Sequence, residues 1–211
     1  MGFASIFHSY VDGVDIGESV AIVGPGDDKE DIDYFFYRKP RTRLTIVSPT
    51  VPHNPDGCAE HISAIMEESP LLGRVATIWA THVLEHSRNP GRFLDVCYES
   101  LMPGGNLFIS VPPAKHEIVG GHVSLWNLGL LMYHLILAGF DVRNGIYSTQ
   151  GYNCFANVQK PMVPIKLPDL AHDHPDIDTL AAAGLWPEWL DASQGFNGNI
   201  QCSIHHVKEL K

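Results

Sequence analysis

The side chains best suited to chemistry lie in one short segment, His82-x-x-Glu85-His86. Residues three and four apart share a helix face, so a helix beginning near His82 would bring the two imidazoles and the carboxylate together. His122 or His116, further along the chain, would complete the set. A carboxylate with two or three imidazoles suits a divalent transition metal that keeps open coordination positions. The spacing therefore predicts a metal site with four candidate ligands, His82, Glu85, His86 and His122.

The same residues are open to two other interpretations. Imidazole titrates near neutral pH, so His86 and His122 are also candidate catalytic acid/base residues that need no metal. Alternatively, Glu85 caps a helix and His86 only packs beside a bound cofactor, while His122 satisfies a backbone carbonyl of its own loop. The sequence alone leaves these three interpretations open.

The histidine segment follows a predicted buried strand. Residues 75–80 form a short apolar, partly β-branched run, which is the pattern of a strand buried on both faces. Helical periodicity follows, and one apolar stripe contains Phe93, Val96, Cys97, Ser100 and Leu101. Pro103-Gly104-Gly105 is predicted to stop this helix, and residues 107–111 form a second buried strand that Pro112-Pro113 closes.

A strand, a helix and a strand within about forty residues predict a right-handed parallel crossover. Ligands of such sheets bind outside the carboxyl ends of the strands. The segment from Thr81 to His86 follows the first strand at that edge, and residues 113–122 follow the second. The sequence thus places the histidines from both loops at one edge of a parallel sheet.

A glycine turn follows the first predicted strand of the chain, residues 20–23. The turn reads Gly24-Pro25-Gly26-Asp27-Asp28, and such a turn lets a cofactor approach the backbone closely. Asp27 or Asp28 is expected to cap the next helix, residues 29–37. The second strand, residues 44–47, ends in Ser48-Pro49.

Several motifs in order resemble the second half of class I S-adenosylmethionine-dependent methyltransferases. They are a strand ending in THVLEH, an Asn-Pro three residues on, a helix ending in LMPGG, a strand ending in VPP, Gly121-His122, Trp126, and a helix ending in Ala138-Gly139-Phe140. The resemblance covers residues 75–141. It implies a Rossmann-like, doubly wound and mostly parallel α/β sheet with a terminal antiparallel hairpin, here residues 141–148 and 154–159.

The resemblance also implies a cofactor and a reaction. S-adenosylmethionine would be lined by Gly24, Pro25, Gly26, Asp27, Ser48, Pro49, Ala80, Thr81 and His82. The expected function is methyl transfer to a small-molecule or sugar-like acceptor, with a hydroxyl oxygen as the expected acceptor atom. The alternative is a protein with this fold that does not methylate, such as a pseudoenzyme, a binding partner, or a domain turned to other chemistry.

The first half departs from the methyltransferase pattern. Ile22 stands where the family has an acid, and Asp28 where it has a small residue. Ser48 replaces the acid that holds the cofactor ribose, and a hydroxyl is a weaker acceptor than a carboxylate. Residues 49–55 form a Pro-rich loop and residues 58–69 a predicted helix. The third strand and its adenine-recognising acid are therefore expected to be missing or rudimentary.

Length and composition favour one globular core. The chain has 211 residues, 45% of them hydrophobic, and its longest apolar segment is interrupted and too short for a membrane span. Without a secretory signal pattern at the N-terminus, a cytoplasmic location is expected. The four cysteines show no metal or disulfide spacing, and the formal net charge of −10 disfavours nucleic-acid binding.

The two ends of the chain are predicted to be additions to this core. Residues 1–10 are expected to form a short helix over the sheet edge. Residues 1–160 are predicted to form the α/β domain and 161–211 an extension packed on it, with a helix at 176–183 and a final strand at 200–207. This extension would widen the sheet, cover the pocket, or form a homo-oligomer interface.

Overall fold

The fold is built on one seven-stranded sheet. The computed structural model describes residues 5–26, 29–50, 53–57, 59–68, 71, 75–192 and 200–202. The strands are β1 (Ser19–Val23), β2 (Arg43–Val47), β3 (Ala59–Ile62), β4 (Val75–Thr81), β5 (Leu101–Val111), β6 (Asp141–Ser148) and β7 (Cys154–Gln159). Their order is β3-β2-β1-β4-β5-β7-β6, and only the β5–β7 and β7–β6 pairs are antiparallel. The predicted Rossmann-like sheet with a terminal hairpin is confirmed.

Helices cover both faces of the sheet. The helices α1 (Ser5–Val11) and α2 (Glu30–Arg38) contribute to one apolar cluster. The helices α3 (Pro90–Ser100), α4 (Leu128–Leu137) and α5 (Asp176–Ala182) contribute to the other. Asparagine side chains cap α3 and α4, where Asn89 accepts from Arg92 N and Asn127 from Leu130 N. Each of these two helices therefore begins directly after a loop that reaches the carboxyl edge of the sheet.

The N-terminal helix lies over the face of the sheet, whereas the sequence predicted a position over its edge. Phe7 stacks on Phe155 of β7 with ring centroids 4.2 Å apart, and His8 lies beside Trp79 of β4. Both strands are internal to the sheet. The apolar side chains of α1 are drawn to the aromatic cluster in the middle of this face because that is where they lose most contact with water.

The predicted helix at residues 58–69 is wrong over the part that the structure describes. Residues Ala59–Ile62 form β3, which pairs in parallel with β2, and only Met66–Glu68 form a short 3-10 turn. Asn54 starts the strand, because its side chain accepts from Ala59 N and donates to Ala59 O. The third strand is therefore present, although it is only four residues long.

The link from α3 to β5 is shorter than predicted. The helix ends at Ser100 and the strand begins at Leu101, so Pro103-Gly104-Gly105 lies within β5 and does not stop the helix. Lys160 Nζ caps the helix end by donating to the carbonyls of Tyr98 and Leu101, at 2.8 Å each. The helix stop therefore comes from a lysine about sixty residues further on.

The described part of the extension contributes side chains to the same core. Leu180, Leu185 and Trp186 are buried in the cluster that contains α4, and Asp176 accepts from Tyr133 Oη at 3.2 Å. The predicted helix at 176–183 is present as α5. Most of the predicted final strand lies outside the described residues, and residues 200–202 are not in a strand. Among the described residues, none of the helices has both the length and the hydrophobicity that a bilayer span requires.

Candidate active site

Two loops meet at the carboxyl edge of the sheet. One follows β4 and carries His82, Glu85 and His86, and the other follows β5 and carries His122. The carbonyl of Glu85 accepts from Val123 N at 2.9 Å, which binds the second loop to the first. The two segments that the sequence placed at this edge are thus in direct contact.

Three of the four predicted metal ligands converge. One ligand atom from each of Glu85, His86 and His122 lies within 4.8 Å of the other two. The rings of His86 and His122 meet edge to face, with centroids 4.9 Å apart. Glu85 is buried, whereas His86 is exposed and His122 is half-buried. His116, the alternative fourth ligand, is exposed on the same loop and does not join this cluster.

The hydrogen bonds of His86 determine which of its nitrogens is basic. Its Nδ1 lies 2.8 Å from the carbonyl oxygen of Gly121. A carbonyl oxygen only accepts, so Nδ1 carries the proton, and Nε2 of the neutral ring holds the free electron pair. This Nε2 lies 4.0 Å from Glu85 Oε1. His86 therefore has a basic nitrogen beside a buried carboxylate.

The carboxylate of Glu85 is incompletely satisfied. The residue is 1% exposed, and its Oε2 has no hydrogen-bond partner among the described residues. Burying a carboxylate oxygen without a partner is costly, and such atoms usually face a ligand, an ion or water. The Oε2 atom of Glu85 is therefore a candidate to contact a bound ligand, ion or water.

His82 does not share a helix face with Glu85 and His86. It has a left-handed backbone, with φ of +51°, and only Leu84–His86 form a 3-10 turn. Its Nδ1 lies 3.3 Å from Glu85 Oε1 and its Nε2 lies 2.6 Å from Asn153 Oδ1. Both nitrogens are thus occupied in hydrogen-bond contacts, and His82 is not among the residues whose ligand atoms converge.

The surroundings of His82 stabilise its charged form. Burial acts to lower the pKa of His82, but hydrogen bonds to Glu85 and Asn153, with the negative charges of Glu85 and Asp31, raise the pKa above its ordinary value. A charged His82 compensates for burial of the Glu85 carboxylate. The pair follows β4 directly, on the same loop as His86.

In the glycine turn after β1, neighbouring atoms crowd the Cα of Gly24, whereas the space beside the Cα of Gly26 is open. Gly24 and Gly26 both have left-handed backbones, with φ of +59° and +58°. A Cβ on Gly24 would lie 2.5 Å from a methyl carbon of Val83, whereas a Cβ on Gly26 would meet nothing within 4 Å. Asp27 lies outside the described residues, and the N-cap position of α2 belongs to Lys29. Close approach of a ligand to the backbone is therefore possible at Gly26.

The other predicted cofactor residues contribute little polar surface. Ser48 is buried, and its hydroxyl accepts from Thr50 N at 3.3 Å, so it is not presented to a ribose. Pro49 is exposed and Ala80 is fully buried. Ser63, the residue after β3, is exposed. The described residues therefore fit contact with a cofactor through the backbone, and Ser48 leaves the end of β2 without an acid.

Two residues that contribute to this edge were missed by the sequence analysis. Asp31, on the first turn of α2, is 3% exposed and accepts from Thr81 Oγ1 at 2.8 Å and His8 Nε2 at 2.9 Å. Asn153, in the turn before β7, is 1% exposed and contacts His82. An acid beside Ile32 on the buried side of α2 was the available signal for Asp31. The available signal for Asn153 was no more than its position in a turn.

Sequence comparisons found no matching family model and no matching curated protein. Solved structures do match. One is a Burkholderia thailandensis 1,6-didemethyltoxoflavin-N1-methyltransferase, 16% identical, covering 75% of this chain and 76% of that one with a TM-score of 0.57. A putative methyltransferase from Bacillus halodurans is 14% identical, covering 76% and 100% with a TM-score of 0.60. The [4+2]-cyclase SpnF is also 14% identical, covering 76% and 82% with a TM-score of 0.58.

These likenesses are to proteins that share only 14–16% of their sequence with this chain, so they bear on the fold alone. They extend over about three quarters of this chain. The chain therefore has the fold of class I S-adenosylmethionine-dependent methyltransferases.

Proposed function

We propose that this protein transfers a methyl group from S-adenosylmethionine to a hydroxyl group of a small-molecule or sugar-like acceptor. The observation that carries the proposal is the basic Nε2 of His86, which lies beside buried Glu85 at the carboxyl edge of a methyltransferase fold. A hydroxyl is a poor nucleophile until its proton leaves, so this reaction benefits from a general base. His86 supplies that base at the edge where such sheets bind ligands.

The proposed methyl transfer assigns a role to each residue of the site. When bound, S-adenosylmethionine supplies an electrophilic methyl group to the acceptor oxygen. The backbone at Gly26 and the end of β4 hold the cofactor, and His86 Nε2 takes the acceptor proton. The nearby Glu85 carboxylate stabilises the imidazolium that results. Because the His122 ring packs on the His86 ring, it limits rotation of the base, and accurate positioning supplies much of the acceleration.

Replacing Gly26 with valine tests the cofactor turn. The space beside Gly26 is open, so the valine side chain would enter the volume that the cofactor is expected to occupy. We expect the affinity for S-adenosylmethionine to fall at least about tenfold, or ~1.4 kcal/mol. Isothermal titration calorimetry measures this affinity directly. Unchanged affinity in a folded variant would remove the turn from the site.

Gly57→Val is the matched control. Gly57 has a left-handed backbone with φ of +64° and equally open space, but it precedes β3 at the opposite edge of the sheet. Valine costs about 1–2 kcal/mol of backbone strain at either position, so a specific role predicts weaker binding only for Gly26→Val. If the unaltered protein shows no binding at millimolar S-adenosylmethionine, the proposal fails. We would then prefer the alternative, a protein of this fold that does not methylate. One structural neighbour is named for a different reaction, a [4+2] cyclisation.

We also propose that Glu85, His86 and His122 bind a divalent metal, because Glu85 Oε2 is buried without a partner among the described residues and three ligand atoms converge there. Three protein ligands would leave positions open for oxygens of the acceptor. Metal binding and the metal-free base described above are competing uses of His86 Nε2. His82 is left out of the proposed ligand set, because its nitrogens contact Glu85 and Asn153.

Elemental analysis of protein purified without a histidine tag distinguishes these two uses. Use of Nε2 as a metal ligand predicts about one equivalent of manganese, zinc or iron per chain, lost in Glu85→Ala and His122→Ala but retained in His116→Ala, whereas the metal-free base predicts none. Because the ligands must be neutral imidazoles, binding should weaken as pH falls through the histidine range. Protein that carries no metal, and that neither binds added metal nor changes in activity, would leave the metal-free base.

A further inference from the structure

Asn153 has a fixed orientation at the back of the site. Its side chain is 1% exposed, and its Nδ2 donates to the carbonyl of Gln150 at 3.3 Å. This bond assigns the nitrogen and oxygen of the amide, because a carbonyl accepts and only Nδ2 donates. The oxygen is therefore the atom that lies 2.6 Å from His82 Nε2. The turn before β7 thus presents a hydrogen-bond acceptor to a histidine that follows β4.

His82 is held from two sides by acceptors. Besides Asn153 Oδ1, the Oε1 atom of Glu85 lies 3.3 Å from His82 Nδ1. The backbone of His82 is left-handed, which is uncommon for residues other than glycine and is retained where surrounding contacts enforce it. Its backbone N donates to the carbonyl of Ser110 at 3.0 Å, which ties the residue to β5. Ring and backbone of His82 are therefore both fixed in place.

The carboxylate of Glu85 depends on this arrangement for its position. Within the described ranges, His82 and His86 supply the only basic nitrogen atoms within 4.0 Å of it. The contact with His82 is the shorter, at 3.3 Å against 4.0 Å for His86. Since Oε2 has no hydrogen-bond partner in the same ranges, the contact with His82 is the shortest polar restraint on the orientation of the carboxylate.

We infer that Asn153 is a positioning residue of the site. Through the ring of His82, it holds Glu85 in the rotamer that places the carboxylate beside His86 Nε2. The inference rests on the proposed function, in which Glu85 and His86 act on the acceptor. It assigns a role in that reaction to the turn between β6 and β7, a part of the chain distant in sequence from the histidine segment.

Three variants test the role of Asn153 in catalysis. Asn153→Ala removes the acceptor, and we expect kcat to fall about 10- to 100-fold while KM for S-adenosylmethionine changes less than about threefold. Asn153→Asp retains an oxygen acceptor for His82 and should recover most of the loss. Asn157→Ala is the control, because Asn157 is a buried amide on the same segment whose Nδ2 contacts the carbonyl of Leu107. It should leave kcat unchanged.

A second measurement requires no methyl transfer. Long-range nitrogen–proton NMR spectra at a fixed pH report the hydrogen bonding of both ring nitrogens of His82. We expect the Nε2 signal to shift in Asn153→Ala and to stay as in the unaltered protein in Asn157→Ala. A shifted signal in a protein without methyltransferase activity would support the contact and refute the proposed function. An unshifted signal, or unchanged kcat in an active Asn153→Ala variant, would overturn the inference.

Discussion

Replacing His86 with alanine is expected to lower kcat by about 10²- to 10⁴-fold, the usual contribution of a general base. The affinity for S-adenosylmethionine should change less than about threefold, because His86 Nε2 faces the acceptor side of the site in the proposed mechanism. The hydrogen bond from Nδ1 to the carbonyl of Gly121 leaves Nε2 as the proton acceptor, so loss of the ring removes the proposed general base. Single-turnover kinetics with a hydroxyl acceptor would measure the chemical step.

His116→Ala is the matched control for His86→Ala. His116 is an exposed histidine on the loop after β5 and lies outside the converging cluster, so its removal should leave kcat unchanged. Glu85→Gln should reduce kcat in the same direction as His86→Ala, because the amide cannot stabilise an imidazolium as the carboxylate does. A His86→Ala variant with full kcat would show that the acceptor proton leaves by another route.

Replacing Phe155 with alanine is expected to lower the free energy of unfolding by about 3–5 kcal/mol, the usual cost of such a change in a core. Phe155 is fully buried, and its ring stacks on that of Phe7 at 4.2 Å and approaches Tyr10 at 5.5 Å. The variant would leave a cavity and remove the main contact of α1 with the sheet. Urea unfolding followed by circular dichroism would measure the change.

Tyr37→Ala provides the comparison. Tyr37 is an aromatic residue on α2 that is 67% exposed, and its loss should change the free energy of unfolding by less than about 0.5 kcal/mol. If Phe155→Ala were as stable as Tyr37→Ala, α1 would not be docked on the sheet as described. The contrast separates burial from the general effect of removing an aromatic ring.

Most strands and helices were predictable because their periodicity is local. The bounds predicted for β6 and β7, residues 141–148 and 154–159, agree with the structure. The segment that forms β3 was taken for a helix because Ile62, Ile65 and Met66 are in helical phase. Pairing with β2 overrode that phase, and pairing of this kind is not visible within a short window of sequence.

The site was predictable in part, because the sequence predicted the strands that its residues follow. Glu85, His86 and His122 follow neighbouring strands of the sheet, so topology alone brought them to one edge. The position of His82 was not predictable, because its left-handed backbone depends on contacts from outside its segment. Asp31 and Asn153 act across 50 and 71 residues of chain, respectively, and residue type alone does not identify such partners.

The short third strand affects how the protein meets other copies of itself. An open sheet exposes unpaired backbone groups at its edge strands, and long apolar edges recruit further strands and aggregate. Here the outer edge at β3 has only four residues, among them exposed Glu60 and half-buried His61. At the opposite edge, β6 carries exposed Arg143 and Asn144 beside an irregular register. Short length at one edge and charge at both protect this sheet against growth by strand addition.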